Sequence, residues 1–246
     1  TGDHMLDQCL LIVQMPKNAR GTASVAWPGY IGTVTGISSD GVAAYLHVGN
    51  AQPSLPEPSS RPSAIAARMI LESSANGARR LTEAKELVEY TSPVVGYLTH
   101  VVLPEEVLEG QPVAVFETNA SDTVLGNPPA GPFVVTNHFR TRTDGRKASQ
   151  DSKSRAVELR NGISGCIAVD DLAVDPDEAW QILQTVERGG DQEFGTLHSL
   201  VFRHHPWHFE LRIASHEDGE LVGAPSSPQR YRLSRGQVFG DTGLLR

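Results

Sequence analysis

The sequence predicts an α+β fold, a four-layer αββα sandwich in which two antiparallel sheets lie between helical layers. Three observations predict it. Strand-like runs come in blocks rather than alternating with helices, so a parallel βαβ sheet is not expected. The first block, residues 9–48, is cut by tight turn signals into short β-rich pieces. Two helical stretches follow it, then further strands, two more helices and closing strands. One domain over residues 1–246 accommodates all of this, a length that buries a full core.

The elements follow in order. Cys9–Met15 (CLLIVQM) reads as a buried strand ended by Pro16. Thr22–Ala26 and Tyr30–Thr35 are expected strands, bent apart by Trp27-Pro28-Gly29. Ser39-Asp40-Gly41 is a tight turn, and Val42–Val48 the next strand. Residues 51–62, with Pro53, Pro56, Pro58 and Pro62, form a loop. Ser63–Ser73 carries Ile65, Met69 and Ile70 at helical spacing, and Thr82 caps a second helix with Leu87 and Val88 inward. Gly96–Leu103, Val113–Glu117 and Val134–Thr136 read as strands, with turns at 109–112 and 126–132. Arg140–Ser154 is polar and expected to be an exposed loop. Ser154–Asn161 and Asp175–Arg188 are helical, the second with acidic residues and Pro176 in its first turn, which suits the helix dipole. Ser199–Phe202, Phe209–Ala214 and Tyr231–Leu233 are the closing strands.

Composition narrows the function. Hydrophobic residues make up 39% and charged residues 20%, as in a globular protein. The net charge is −8 with Lys and Arg scattered, so no nucleic-acid face is expected. No apolar run approaches the ~18 residues of a membrane span. Glycines 29, 32, 36 and 41 are irregular and lie among strands, so no phosphate loop and no cofactor are expected. His198, His204, His205 and His208 lack a ligand-set pattern: on a strand, His204 and His205 face opposite ways, and no metal is expected. Cys9 and Cys166 give neither metal spacing nor a disulfide framework. Both read as buried small hydrophobes, and Asp7 beside Cys9 raises rather than lowers its pKa.

The most informative stretch is Val134-Val135-Thr136-Asn137-His138-Phe139. A β-branched run stops on an amide, an imidazole and a ring. An unpaired buried amide costs ~1–3 kcal/mol, so Asn137 has a job. Either it makes an Asx-type turn, or its N–H is aimed at a developing oxyanion.

Several stretches together resemble the isopenicillin N acyltransferase-like amidohydrolases of the N-terminal nucleophile superfamily. SVAWPGYIGTVTGISSDGVAAYL (Ser24–Leu46) is similar to their early hairpin, and VVTNHF to their Asn-bearing strand. Asp151-Ser152-Lys153-Ser154-Arg155 resembles the S-x-x-R element that follows. TLHSLVF (Thr196–Phe202) and PQRYRL (Pro228–Leu233) resemble the late strands, all in the right order. The resemblance implies an αββα fold and a processed chain whose first residue, Cys, attacks an amide or thioester while its own α-amine acts as base. It implies Asn137 as an oxyanion donor, with Trp27, Tyr30 and His138 near an acylated amide substrate. CLLIVQMP matches the strand after the two that carry the nucleophile and its Asp partner. The nucleophile is therefore expected upstream of Thr1, with Cys9 exposed by cleavage, or Thr1 itself, as the other accounts. A sheet lacking those strands exposes an edge, so a companion N-terminal chain or a homodimer is expected. A catalytically inactive relative that binds an acyl ligand or a protein is the alternative.

Overall fold

The computed structural model describes residues 8–54, 60–72, 81–90, 93–103, 113–126, 132–169, 173–188, 195–217 and 220–240. Thr1, Asp7, Pro56, Pro58 and the expected turn at 109–112 lie outside the described residues. The chain divides into two compact units, Leu10–Lys153 and Thr1–Cys9 with Ser154–Arg246.

The first unit is built on a seven-stranded antiparallel meander in sequence order. Its strands are β1 (Leu10–Gln14), β2 (Thr22–Ala26), β3 (Thr35–Ser38), β4 (Ala43–Val48), β5 (Tyr97–Val102), β6 (Val113–Thr118) and β7 (Thr123–Gly126). Two helices, α1 (Ser63–Glu72) and α2 (Leu81–Glu89), interrupt it between β4 and β5, yet β5 pairs directly with β4. They cover one sheet face: Ile70, Leu71, Ala84 and Val88 pack with Ala44, Val101 and Phe116. Small residues let the layers approach closely. A Cβ on Gly36 would sit 2.7 Å from Leu71 Cδ1 and 2.8 Å from Ser24 Oγ.

Strand pleating puts the alternate residues on the other face. There the register aligns Tyr45 with His100, His47 with Leu98, His100 with Val115, and Leu98 with Glu117. Residues 133–139 run over this face. Val135, Phe139 and Phe133 pack with Leu98, Val115 and Ala51, and the Phe133 ring stacks on His100 at 6.4 Å.

In the second unit β8 (His198–Arg203), β9 (His208–Ile213) and β12 (Arg230–Arg232) form an antiparallel sheet in the order β12-β9-β8, beside a β10 (Ser215–Glu217)–β11 (Glu220–Val222) hairpin. Its helices are α3 (Gln150–Val169), which starts in the first unit, α4 (Pro176–Gln184) and α5 (Arg235–Phe239). α4 opens on a capping box: the Asp175 carboxylate accepts from the Glu178 N–H, and Glu178 accepts from the Asp175 N–H. α5 uses Ser234 and Gln237 likewise. Trp207 contacts Phe202, Phe209 and Phe239. Glu210 is fully buried between the guanidinium groups of Arg212 and Arg232, and Arg212 lies 3.9 Å from the centre of the Trp180 ring.

Several expectations are corrected. Residues 30–34 are not a strand. Gly29 turns the chain at φ +80, Tyr30 N–H donates to Trp27 O, and Thr33 N–H goes to Ala64 O at the start of α1 rather than to a neighbouring strand. Thr82 lies inside α2, which begins at Leu81. Val134–Thr136 carries no ladder bonds, while β7, β10, β11 and α5 were not anticipated. α3 is far longer than Ser154–Asn161 and takes in the end of the expected 140–154 loop. His204 and His205 lie in the β8–β9 turn, not on a strand.

Imidazoles partly withdrawn from water make stability pH-dependent. Burial pushes His198 down to about 4, and burial together with the neighbouring His47 holds His100 well below the usual range. A neutral buried His contributes stability that is present above its unfolded pKa of ~6.5 and declines as pH falls below it, because the unfolded chain then binds more protons. Burial opposes the charge of Glu210, yet bonds from Arg232 and Arg212 hold its pKa low. Its contribution is likewise lost as pH falls, in a more acid range. Thermal melts are therefore expected to decline from pH 6.5 towards 4, and His198→Leu is expected to flatten that decline. A slope unchanged in the variant counts against the assignment.

Candidate active site

The polar constellation of the first unit is built around residues 134–142. Val134, Val135 and Thr136 are buried, and their polar anchoring comes from side chains instead of a ladder. Thr136 Oγ1 donates to Ser152 O at 2.8 Å in the first turn of α3. Ser152 Oγ donates to Thr136 Oγ1 at 3.0 Å and lies 2.8 Å from His138 Nδ1. His138 Nδ1 also lies 3.1 Å from Thr136 Oγ1, so Thr136, His138 and Ser152 form one hydrogen-bonded cluster. Ser152 is fully buried, so this is a locking contact and not an exposed nucleophile.

Between Thr136 and His138 the chain bends, and the half-buried Asn137 reaches back to β4. Its Nδ2 donates to Val48 O at 3.1 Å, across 89 residues of sequence. The next residues are held just as firmly. Phe139 N–H donates to Asn50 Oδ1 at 2.7 Å. The N–H groups of Arg140, Thr141 and Arg142 all donate to the Glu117 carboxylate of β6, at 2.6–3.1 Å. The Arg140 guanidinium lies 4.9 Å from the centre of the Phe133 ring and donates to Val134 O at 3.3 Å. A cavity of about 140 Å³ adjoins this segment, lined by Glu117, Gly126, Phe133, Arg140 and Thr141. That is below the ~300 Å³ of ordinary ligand pockets, so it admits a small group and not a whole acylated substrate.

The other sequence-predicted residues fall as follows. Trp27 and Tyr30 touch edge-to-face at 6.2 Å on the β2–β3 turn. Burial, and then the phenol of Tyr97, push the Tyr30 pKa up. Tyr97 is the register partner of Val48, whose carbonyl Asn137 bonds. His138 is next to Asn137 but bound to Ser152. Cys9 directly precedes Leu10, the register partner of Ala26. Burial pushes its thiol up, the opposite of activation. β1 is three strands from β4, about 14 Å at strand spacing, so the head of β1 is not beside Val48. Cys166 lies within α3.

Sequence reasoning missed Val48, Asn50 and Glu117 as site residues. Val48 acts through a backbone carbonyl, which no residue type signals. Glu117 had one available sign: a carboxylate ending the apolar run Val113-Ala114-Val115-Phe116. Ser152 lay in the S-x-x-R stretch but without a partner.

Comparison with known proteins bears on the fold and the family. No curated protein matches the sequence. Among solved structures, a Caenorhabditis elegans N-acylethanolamine-hydrolyzing acid amidase ortholog superposes with a TM-score of 0.55 at 12% identity, covering 94% of this chain and 90% of that one. A variant of conjugated bile acid hydrolase from Clostridium perfringens gives a TM-score of 0.53 at 9% identity, with coverage of 96% and 89%. A second variant of that hydrolase gives 0.52 at 9% identity, with coverage of 92% and 85%. At such identities the likeness is one of fold, and the fold is that of the N-terminal nucleophile hydrolases. The family described as acyl-coenzyme A:6-aminopenicillanic acid acyl-transferase matches residues 4–218. The chain belongs to that family.

Proposed function

We propose that this protein cleaves a linear amide bond, by hydrolysis or acyl transfer, through an N-terminal nucleophile and an acyl-enzyme. The observation that carries the reading is Asn137. Its side-chain amide is oriented by Val48 O, and its neighbours are anchored by the Thr136 hydroxyl on one side and by the His138 ring and the Phe139 N–H on the other. An amide N–H held without freedom to reorient is what stabilisation of a developing oxyanion requires. The nucleophile attacks the acyl carbonyl while the α-amine of the same residue takes its proton. That amine titrates near ~8 and so accepts a proton at neutral pH. The tetrahedral oxyanion forms against the Asn137 N–H. Collapse expels the leaving amine, which takes the proton from the α-ammonium, and water or an acceptor amine then releases the acyl group.

Trp27 and Tyr30 are assigned to the acylated substrate's apolar part and His138 to its surroundings. The nucleophile is assigned upstream of Thr1, with Thr1 and Cys9 as the other candidates. The relatives' names favour linear amides: one structure is an N-acylethanolamine-hydrolyzing amidase and another a conjugated bile acid hydrolase. Among the described residues β1 forms one edge of the seven-stranded sheet, with Leu10 and Val13 exposed on it and Met15 exposed just beyond its end. We assign that edge to a companion strand or a second copy.

A second reading, an acyl-ligand binding or protein-interaction module, is favoured by one observation: burial disfavours the Cys9 thiolate. Release of free amine from a linear N-acyl amide by the natural full-length protein separates the two.

A further inference from the structure

Glu117 is 1% exposed and falls, by register, on the sheet face that carries Leu98, His100 and Val115. A carboxylate removed from water costs several kcal/mol unless it is compensated. Among the described residues its compensation is backbone alone. Oε1 accepts from Arg140 N–H at 2.6 Å and Thr141 N–H at 3.1 Å. Oε2 accepts from Thr141 N–H at 3.0 Å and Arg142 N–H at 2.8 Å. Successive N–H groups converging on one anion form a nest, here filled by the protein's own side chain. With Phe139 N–H on Asn50, every backbone donor from 139 to 142 is committed to an acceptor in the strand framework. These donors immediately follow the bend that carries Asn137 and His138.

We propose that Glu117 is a positioning residue for Asn137. By gripping residues 140–142, it fixes the exit of the bend, so that the Asn137 amide is aimed before substrate arrives. This deepens the reading of Asn137 as oxyanion donor and rests on it. A merely stabilising clamp predicts loss of thermal stability alone. A positioning role predicts loss of turnover with binding retained, because a misplacement of about 1 Å at the reacting centre costs ~10²-fold.

The test is Glu117→Gln in the natural full-length protein, with a fluorogenic N-acyl aminocoumarin as the amide probe. Gln keeps the volume but turns an NH₂ towards backbone donors. The expected result is a kcat lowered about 30- to 100-fold with KM within about threefold. A second readout needs no turnover: the side-chain ¹⁵NH₂ resonances of Asn137, assigned by their loss in Asn137→Asp. They are expected to move in Glu117→Gln. Should that variant not fold, Glu117→Asp, which keeps both oxygens on a shorter stem, is read in the same two ways. An inert wild-type protein refutes the catalytic reading while the resonances still decide the role of Glu117. Asn137 resonances that stay in place while the amides of 140–142 shift overturn the proposal, as does a kcat within twofold of wild type.

Discussion

Asn137→Ala is expected to lower kcat for a linear amide by about 10²–10³-fold, the value of one oxyanion donor, with KM little changed. Folding is expected to survive. Asn137 is half-buried and its amide donates to the Val48 carbonyl, a bond whose loss costs ~1 kcal/mol. Asn137→Asp sharpens the result. It keeps size and polarity but replaces the amide donor by an acceptor facing the Val48 carbonyl. If donation matters, Asp is as inactive as Ala. If Asn137 serves only to hold the bend on Val48 O, Asp and Ala both remove that bond and the loss of turnover merely follows the loss of stability. Steady-state kinetics on the two variants, with circular dichroism to establish folding, decides.

Gly96→Ala is expected to be strongly damaging to the first unit. A Cβ there would lie 2.3 Å from the Ala51 Cβ, 2.9 Å from Phe139 Cζ and 3.1 Å from the Ala51 backbone nitrogen. The first and last of these contacts have no flexible end that can swing aside. Across from it, a Cβ on Gly49 would meet the same ring at 2.5 Å, and Gly49 N–H donates to Gly96 O at 2.7 Å. The two glycines are thus the seat on which Phe139 rests, two residues after Asn137. Overpacking of this kind costs ~1–3 kcal/mol, or roughly 2–12 °C in Tm for a chain of this size. Turnover should fall further than stability explains, because the relaxation available is displacement of Phe139. Gly165→Ala is the control: its Cβ would meet nothing within 4 Å on α3, so neutral or improved stability is expected. A Gly96→Ala protein that melts like wild type contradicts the packing described.

What the chain revealed in advance follows the reach of each interaction. β1, β2 and β4 were legible because Pro16, Trp27-Pro28-Gly29 and Ser39-Asp40-Gly41 punctuate the chain locally, whereas β3 (Thr35–Ser38) was expected too early, at Tyr30–Thr35. α4 was legible at its start because Asp175, Pro176 and Glu178 form the cap themselves. α3 was not: in its first two turns only Ser152 and Ala156 are buried, and a helix that is polar nearly all round has no period to detect. Val134–Thr136 has strand composition, but Thr136 spends its hydroxyl on Ser152 and the segment joins no ladder. Asn137 and His138 stood out by residue type. Their partners did not, since Val48 and Asn50 are 89 residues away from Asn137 and Phe139 and Glu117 lies 23–25 residues from the amides it holds.

The central claim is amide cleavage through an N-terminal nucleophile with Asn137 at the oxyanion. The most direct measurement is mass spectrometry of the natural protein, expressed from its complete gene and quenched during incubation with a linear N-acyl amide. The expected result is release of free amine, together with an acyl group mapped to the first residue of the mature chain, and loss of both in Asn137→Ala. Binding of the amide with neither amine release nor an acylated N-terminal residue would contradict the account and leave a binding module in its place.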